Sequence, residues 1–134
     1  MAIFLLDTTV IIDVITGRRG RVQMLDGLLE QRNLLACCSI NITEVYAGMR
    51  PHEASLTDGF LRSLKFYEVT WDIARRAGEL KYEWAKKGRI IALPDITIAA
   101  VALANSLTLI TDNRKDFPMP EIQIHQLHGA PATE

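Results

Sequence analysis

The sequence has little cysteine, few aromatic residues, no surplus of either charge and no apolar run of membrane-spanning length. Each shortage removes a class of protein. The two cysteines, Cys37 and Cys38, are adjacent inside an apolar run. They supply neither a disulfide framework nor the two-residue spacer of a metal knuckle, and read as buried thiols on a strand in a reducing compartment. Asp13, Pro94 and Asp112 interrupt the apolar stretches, and a membrane helix needs about 20 uninterrupted residues. The N-terminal residues, with no basic leader and a short apolar run, read as a strand rather than a secretory signal. A cytoplasmic protein without membrane association is expected.

Basic surplus is missing too: the net charge is -1 and the sequence pI about 6.3. Proteins that hold nucleic acid by counterion release usually carry such a surplus. A nucleic-acid partner would have to be gripped locally, through metal ions or through Arg18, Arg19 and Arg21, or Lys86, Lys87 and Arg89. A solvated surface explains those clusters equally well.

What is present is a core. In 134 residues, 49% are apolar and 23% charged, enough for one ordinary domain and too few for two. Apolar runs of strand length alternate with stretches of helical period, which predicts an α/β fold with a parallel sheet. Strands are expected at Ile3 to Leu6, Leu34 to Cys38, Phe66 to Val69, Leu107 to Ile110 and Ile122 to Gln126. Between them, helices are expected from Val10 to Thr16 (capped by Thr9 and stopped by Gly17), Val22 to Gln31, Asn41 to Met49 and Glu53 to Leu64. Two more run from Trp71 to Lys87, capped by Thr70, and from Asp95 to Ser106, with Pro94 in the first turn. On the second helix, Val22, Leu25, Leu28 and Leu29 share a face. There is no repeat or linker, so residues 1–134 form a single domain, with a tail from His128 to Glu134 expected to fray.

In such a sheet, ligands bind beyond the carboxyl ends of the strands. Four acids fall there: Asp7 after the first strand, Glu44 in the helix after the second, Asp95 opening the helix before the fourth, and Asp112 after the fourth. Crowded carboxylates stay ionised only beside compensating positive charge. Helix N-termini supply some, and a divalent cation supplies the rest. An all-oxygen ligand set favours Mg²⁺ or Mn²⁺ over zinc, and such ions suit phosphodiester hydrolysis. Chance placement of some of the sixteen acidic residues remains the competing explanation.

The motifs add a resemblance. Leu5-Leu6-Asp7-Thr8-Thr9-Val10-Ile11-Ile12-Asp13, Ser39-Ile40-Asn41-Ile42-Thr43-Glu44-Val45-Tyr46-Ala47-Gly48, Leu93-Pro94-Asp95-Ile96-Thr97-Ile98-Ala99-Ala100 and Leu107-Thr108-Leu109-Ile110-Thr111-Asp112-Asn113-Arg114-Lys115-Asp116-Phe117 occur in order. Together they resemble the PIN-domain nucleases, and most of all the VapC-type toxins of prokaryotic toxin–antitoxin modules. The resemblance implies a PIN-like fold with a central parallel sheet of about five strands flanked by helices. It implies a Mg²⁺- or Mn²⁺-dependent endoribonuclease that forms a homodimer and is inhibited by a cognate, VapB-like antitoxin. Asp7, Glu44 and Asp95 match the main metal carboxylates, Asp112 the fourth acidic position, Asp116 an additional one, and Thr9 the supporting hydroxyl. The expected reaction is hydrolysis of RNA by a metal-activated water in line with the leaving 3′ oxygen, giving a 5′-phosphate and a 3′-hydroxyl.

Other readings stay open at this point: a PIN nuclease of RNA processing without a toxin role, or a non-catalytic acidic pocket for basic peptides. A phosphatase with Asp7 as nucleophile is disfavoured, because position 9 is Thr where such enzymes need a second Asp. Asp13 reads as a helix-orienting or solvent-facing acid, and Asn113 and Arg114 as turn residues. His52, His125 and His128 read as surface residues, and Tyr46 and Trp84 as helix-face packing rather than base-stacking platforms.

Overall fold

Alternation of side chains along short apolar strands decides the architecture. Phe4 and Leu6 of β1 (Ile3–Leu6), with Leu35 and Cys37 of β2 (Leu34–Cys38), point to one face of the sheet, while Leu5, Ala36 and Cys38 point to the other. Both faces are apolar, so both must be covered, as expected for parallel strands. The computed structural model describes residues 1–125 and 127. Gln126, expected to end the last strand, and the tail from His128 to Glu134 lie outside the described residues.

The sheet is completed by β3 (Lys65–Tyr67), β4 (Thr108–Ile110) and β5 (Gln123–His125). All pairings are parallel, in the order β3-β2-β1-β4-β5. Among the described residues six α-helices flank it: α1 (Thr8–Thr16), α2 (Arg21–Glu30), α3 (Ser39–Gly48), α4 (Ala54–Ser63), α5 (Trp71–Lys86) and α6 (Leu93–Ala104). Val10, Ile11 and Ile15 of α1, Leu25 and Leu28 of α2, Val45 of α3 and Leu61 of α4 fill one layer. The other layer comes from Ala77 and Leu80 of α5 and the run Ile96 to Ala102 of α6.

Topology places the site. From β1 the chain steps outward to β2 and β3 by way of α1 to α4, then returns through α5 and α6 to β4 on the other side of β1. Right-handed crossovers running in opposite directions must use opposite faces of the sheet. The reversal leaves a crevice beyond the carboxyl ends of β1 and β4.

Local signals set most boundaries. Gly17 ends α1 in the left-handed region, φ 70°, and Thr70 caps α5 by accepting a hydrogen bond from the Ile73 amide at 3.2 Å. Three expectations change. Asp7, not Thr9, is the N-cap of α1, because its extended backbone (ψ 153°) lets its carboxylate accept from the Thr8 amide. The last helix begins at Leu93, since Pro94 in the first turn gives up an amide that had no helical partner. Of the four apolar residues expected to share a face of α2, only Leu25 and Leu28 are buried, while Val22 and Leu29 are exposed.

Beyond Asp95 helix α6 is apolar except for Thr97, and its small residues decide how closely it packs. Ala99, Ala100 and Ala102 are buried between α5 and the sheet. An Ala99→Leu substitution should lower stability by about 1–3 kcal/mol through overpacking, read as a lower midpoint in urea unfolding.

Candidate active site

The crevice collects acidic side chains from four separate segments. Asp7 ends β1, and its amide donates to Ile110 O at 2.9 Å, continuing the β1–β4 ladder. Its carboxylate is fixed at both oxygens: Oδ1 accepts from the Thr8 amide at 2.8 Å and Oδ2 from Thr111 Oγ1 at 2.6 Å. The residue is only 5% exposed. Glu44 enters from α3. Its Oε1 accepts from Thr8 Oγ1 at 2.6 Å, and that hydroxyl accepts from Asn41 Nδ2 at 3.0 Å. Asn41, fully buried, also accepts from the Cys38 amide at 2.8 Å. A chain of hydrogen bonds thus runs from the end of β2 to the carboxylate of Glu44.

Asp95 lies in the first turn of α6, and Asp116 in a 3-10 turn, Arg114–Asp116, beyond β4. The charges of Glu44 and Asp116 are felt at Asp7, and those of Asp7, Asp116 and Glu44 at Asp95. Burial first, and then these like charges, push the Asp95 carboxyl up from 3.8 to about 6. Its place at a helix N-terminus favours ionisation by only about 0.3–1 kcal/mol, so burial and repulsion win. Asp7 is raised as well, chiefly by burial, against the lowering effect of the Thr111 and Thr8 hydrogen bonds.

Of the acids singled out in the sequence, Asp7, Glu44, Asp95 and Asp116 therefore form one electrostatic cluster. Asp112 stands apart. Its carboxylate receives Arg21 Nη2 at 2.6 Å and faces Arg19 Nη1 at 3.5 Å. Thr9 is exposed, and the hydroxyls that touch the carboxylates belong to Thr8 and Thr111. Sequence reasoning passed over both of these, as well as Asn41. The available signal was position: each threonine adjoins an acid or a strand end at the switch point. Asp13 does not face solvent but is 7% exposed and directed at arginines, and Arg21 is buried rather than part of a basic surface. His125 lies on β5 with its ring edge-on to Phe4 at 5.2 Å, not on the open surface, whereas His52 is exposed. Tyr46 hydrogen-bonds Asp58, and Trp84 packs on the core beneath Lys87.

Among the described residues, no three acidic, histidine or cysteine side chains close around an ion unaided. The donor set is all oxygen, partly buried and short of positive charge, which fits a hard divalent cation that keeps several of its waters.

These shifts have a consequence for stability without metal. The folded state holds the Asp95 proton more tightly than the unfolded chain, so its contribution is intact below pH 3.8 and is lost as pH rises to about 6. Discounted for partial exposure, the effect is about 1 kcal/mol. Asp95→Asn should raise the metal-free melting temperature at pH 7 by roughly 3–5 °C and leave it unchanged near pH 4. Thermal unfolding at the two pH values checks this.

Known proteins resemble this chain in sequence and in fold. A sequence profile described as the PIN domain matches residues 4–119. Ribonuclease VapC19 of Mycobacterium tuberculosis is 32% identical over 120 residues, covering 89% of this chain and 96% of the relative. The solved structure of VapBC2 from Rickettsia felis bound to a DNA fragment from their promoter superposes with a TM-score of 0.81 at 28% identity, over 92% of this chain and 97% of that one. A toxin-antitoxin complex from Klebsiella pneumoniae superposes with a TM-score of 0.76 at 30% identity, over 97% and 100%. With the profile spanning all four acidic segments and the fold matching along nearly its whole length, the chain belongs to the PIN domain family.

Proposed function

We propose that this chain is a divalent-cation-dependent endoribonuclease, the toxin of a toxin–antitoxin pair. The observation that carries this reading is the meeting of Asp7, Glu44, Asp95 and Asp116 at the switch point of the sheet, with Asp7 and Asp95 both pushed toward the protonated form. The likeness to a VapC ribonuclease and to toxin–antitoxin complexes supports it.

Asp7, Glu44 and Asp95 would hold the cation, which we assign as Mg²⁺ or Mn²⁺ from the hardness of the ligand set. Such an ion supplies charge neutralisation at the scissile phosphate and acidifies water. We give the fourth acidic place to Asp116, because its charge acts on Asp7 and Asp95 while that of Asp112 is directed at Arg21. The rest is done by the chain. Thr111 and the Thr8 amide fix the two oxygens of Asp7, and the Thr8 hydroxyl turns Glu44. Asp116, half-buried at the rim, accepts a proton or orients the attacking water. Protons compete with the cation for Asp95 below about pH 6, so cleavage should rise with pH through that region.

No helix among the described residues is long and apolar enough to cross a membrane. By the chain's likeness to toxins of toxin–antitoxin pairs, we infer a cytoplasmic homodimer. Its partner is a small VapB-like antitoxin that lays a basic side chain into the acidic crevice, where that charge replaces the cation. A PIN nuclease of RNA processing would share the site but lack this inhibitor. Co-expression with the product of an adjacent short reading frame separates the two.

Asp7→Asn and Asp95→Asn should each reduce Mg²⁺-supported RNA cleavage by about a hundredfold or more while the fold persists. Thr111→Val, which removes only the hydroxyl behind Asp7, should cost roughly tenfold. Single-turnover cleavage of a mixed RNA substrate measures all three, and undiminished activity in Asp7→Asn would refute the site.

A further inference from the structure

Arg21 sits 3% exposed, which is unusual for a guanidinium, and its surroundings are unfavourable in three ways. It is the first residue of α2, at the positive end of the helix dipole, behind a Gly20 cap with no side-chain hydrogen bond. It faces two carboxylates and satisfies one. Nη2 reaches Asp112 Oδ1 at 2.6 Å, whereas Nε and Asp13 Oδ2 lie 3.9 Å apart, and both are buried without a hydrogen-bond partner. The turn that delivers it is left-handed at Gly17, Arg19 and Gly20, and Arg19 holds φ 57° with a full side chain. Stability alone does not select such an arrangement. Backbone strain and orphaned polar atoms persist where the surroundings over-determine a geometry that function uses.

The neighbours of Asp112 show what that geometry is. Thr111, immediately before it, gives its hydroxyl proton to Asp7 Oδ2 at 2.6 Å and accepts the Asn113 amide at 3.0 Å. Three residues beyond that amide comes Asp116. A single guanidinium, held on α2 about 90 residues away in sequence, therefore anchors the segment that aims one acid of the cluster and carries another.

We propose that Arg21 is a positioning residue of the nuclease site, acting through Asp112 to hold the Thr111–Asn113 segment against Asp7. Asp112 then serves as the anchor of the segment rather than as a ligand. The proposal rests on the functional reading above but does not require it for its structural part.

The test compares wild type with Arg21→Met and Arg21→Lys, all below their melting temperatures. Three quantities are measured: amide hydrogen exchange at Asn113 without metal, Mn²⁺ affinity by calorimetry, and single-turnover RNA cleavage. In Arg21→Met, exchange at Asn113 should rise at least tenfold relative to the Asp7 amide in the β1–β4 ladder. Mn²⁺ affinity and the maximal cleavage rate should each fall about tenfold with little change in KM, and Arg21→Lys should recover part of each loss. Unchanged Asn113 exchange, or faster exchange with undiminished Mn²⁺ affinity and rate, overturns the proposal. If Arg21→Met does not fold, Asp112→Leu removes the acceptor of the same contact and is judged by the same criteria. Should wild type itself not cleave RNA, the nuclease reading fails, and exchange with Mn²⁺ affinity still decides whether the clamp holds the acid cluster.

Discussion

Repulsion among four carboxylates is the constraint around which this molecule is arranged. Burial first, and then like charges, drive Asp7 and Asp95 toward their neutral forms: Glu44 and Asp116 act on both, and Asp7 acts on Asp95 as well. Folding must hold them together at a cost, and it does so with groups that are rigid for other reasons. Asp7 is bonded into the β1–β4 ladder through its amide and caps α1 with its carboxylate. Glu44 is steered by a hydroxyl that is itself held by the fully buried Asn41. The parallel sheet, closed by apolar layers on both faces, supplies the fixed frame that this requires.

The same constraint explains why the site is all oxygen and why the protein as a whole need not be basic. A cation bound in the crevice relieves the repulsion and presents positive charge where a phosphate would lie, so the grip on a polyanion is local. An antitoxin's guanidinium or ammonium in the same place answers the same electrostatic demand. On this account metal and inhibitor compete for a single pocket of negative potential.

Much of the frame was legible in the sequence. The apolar runs Ile3–Leu6 and Leu34–Cys38, the stop at Gly17 and the cap at Thr70 follow from the two-sided burial of parallel strands and from turn chemistry, and each lies where those rules put it. Asp7, Glu44 and Asp95 could be singled out because the topology of a parallel sheet dictates where to look, whereas Asp116 was pointed to only by the family resemblance. Burial of charge by a partner distant in sequence could not be read. Nothing near Arg21 in the chain announces Asp112, so its buried guanidinium looked like surface, and the separate pairing of Asp112 was invisible. The distinction between Thr8 and Thr9 likewise depends on one backbone angle: Asp7 as N-cap turns Thr8 inward to Glu44 and leaves Thr9 outside.

Proton-linked metal binding tests the central claim most directly. Mn²⁺ should be titrated calorimetrically at pH 6 in buffers of different ionisation enthalpy, which separates ion binding from proton release. If a cation relieves the carboxylate repulsion, binding is saturable and expels a substantial fraction of a proton per ion, since Asp95 titrates at about 6. At pH 8 the release should vanish. Absence of saturable binding, or binding at pH 6 with no proton released, would contradict the account.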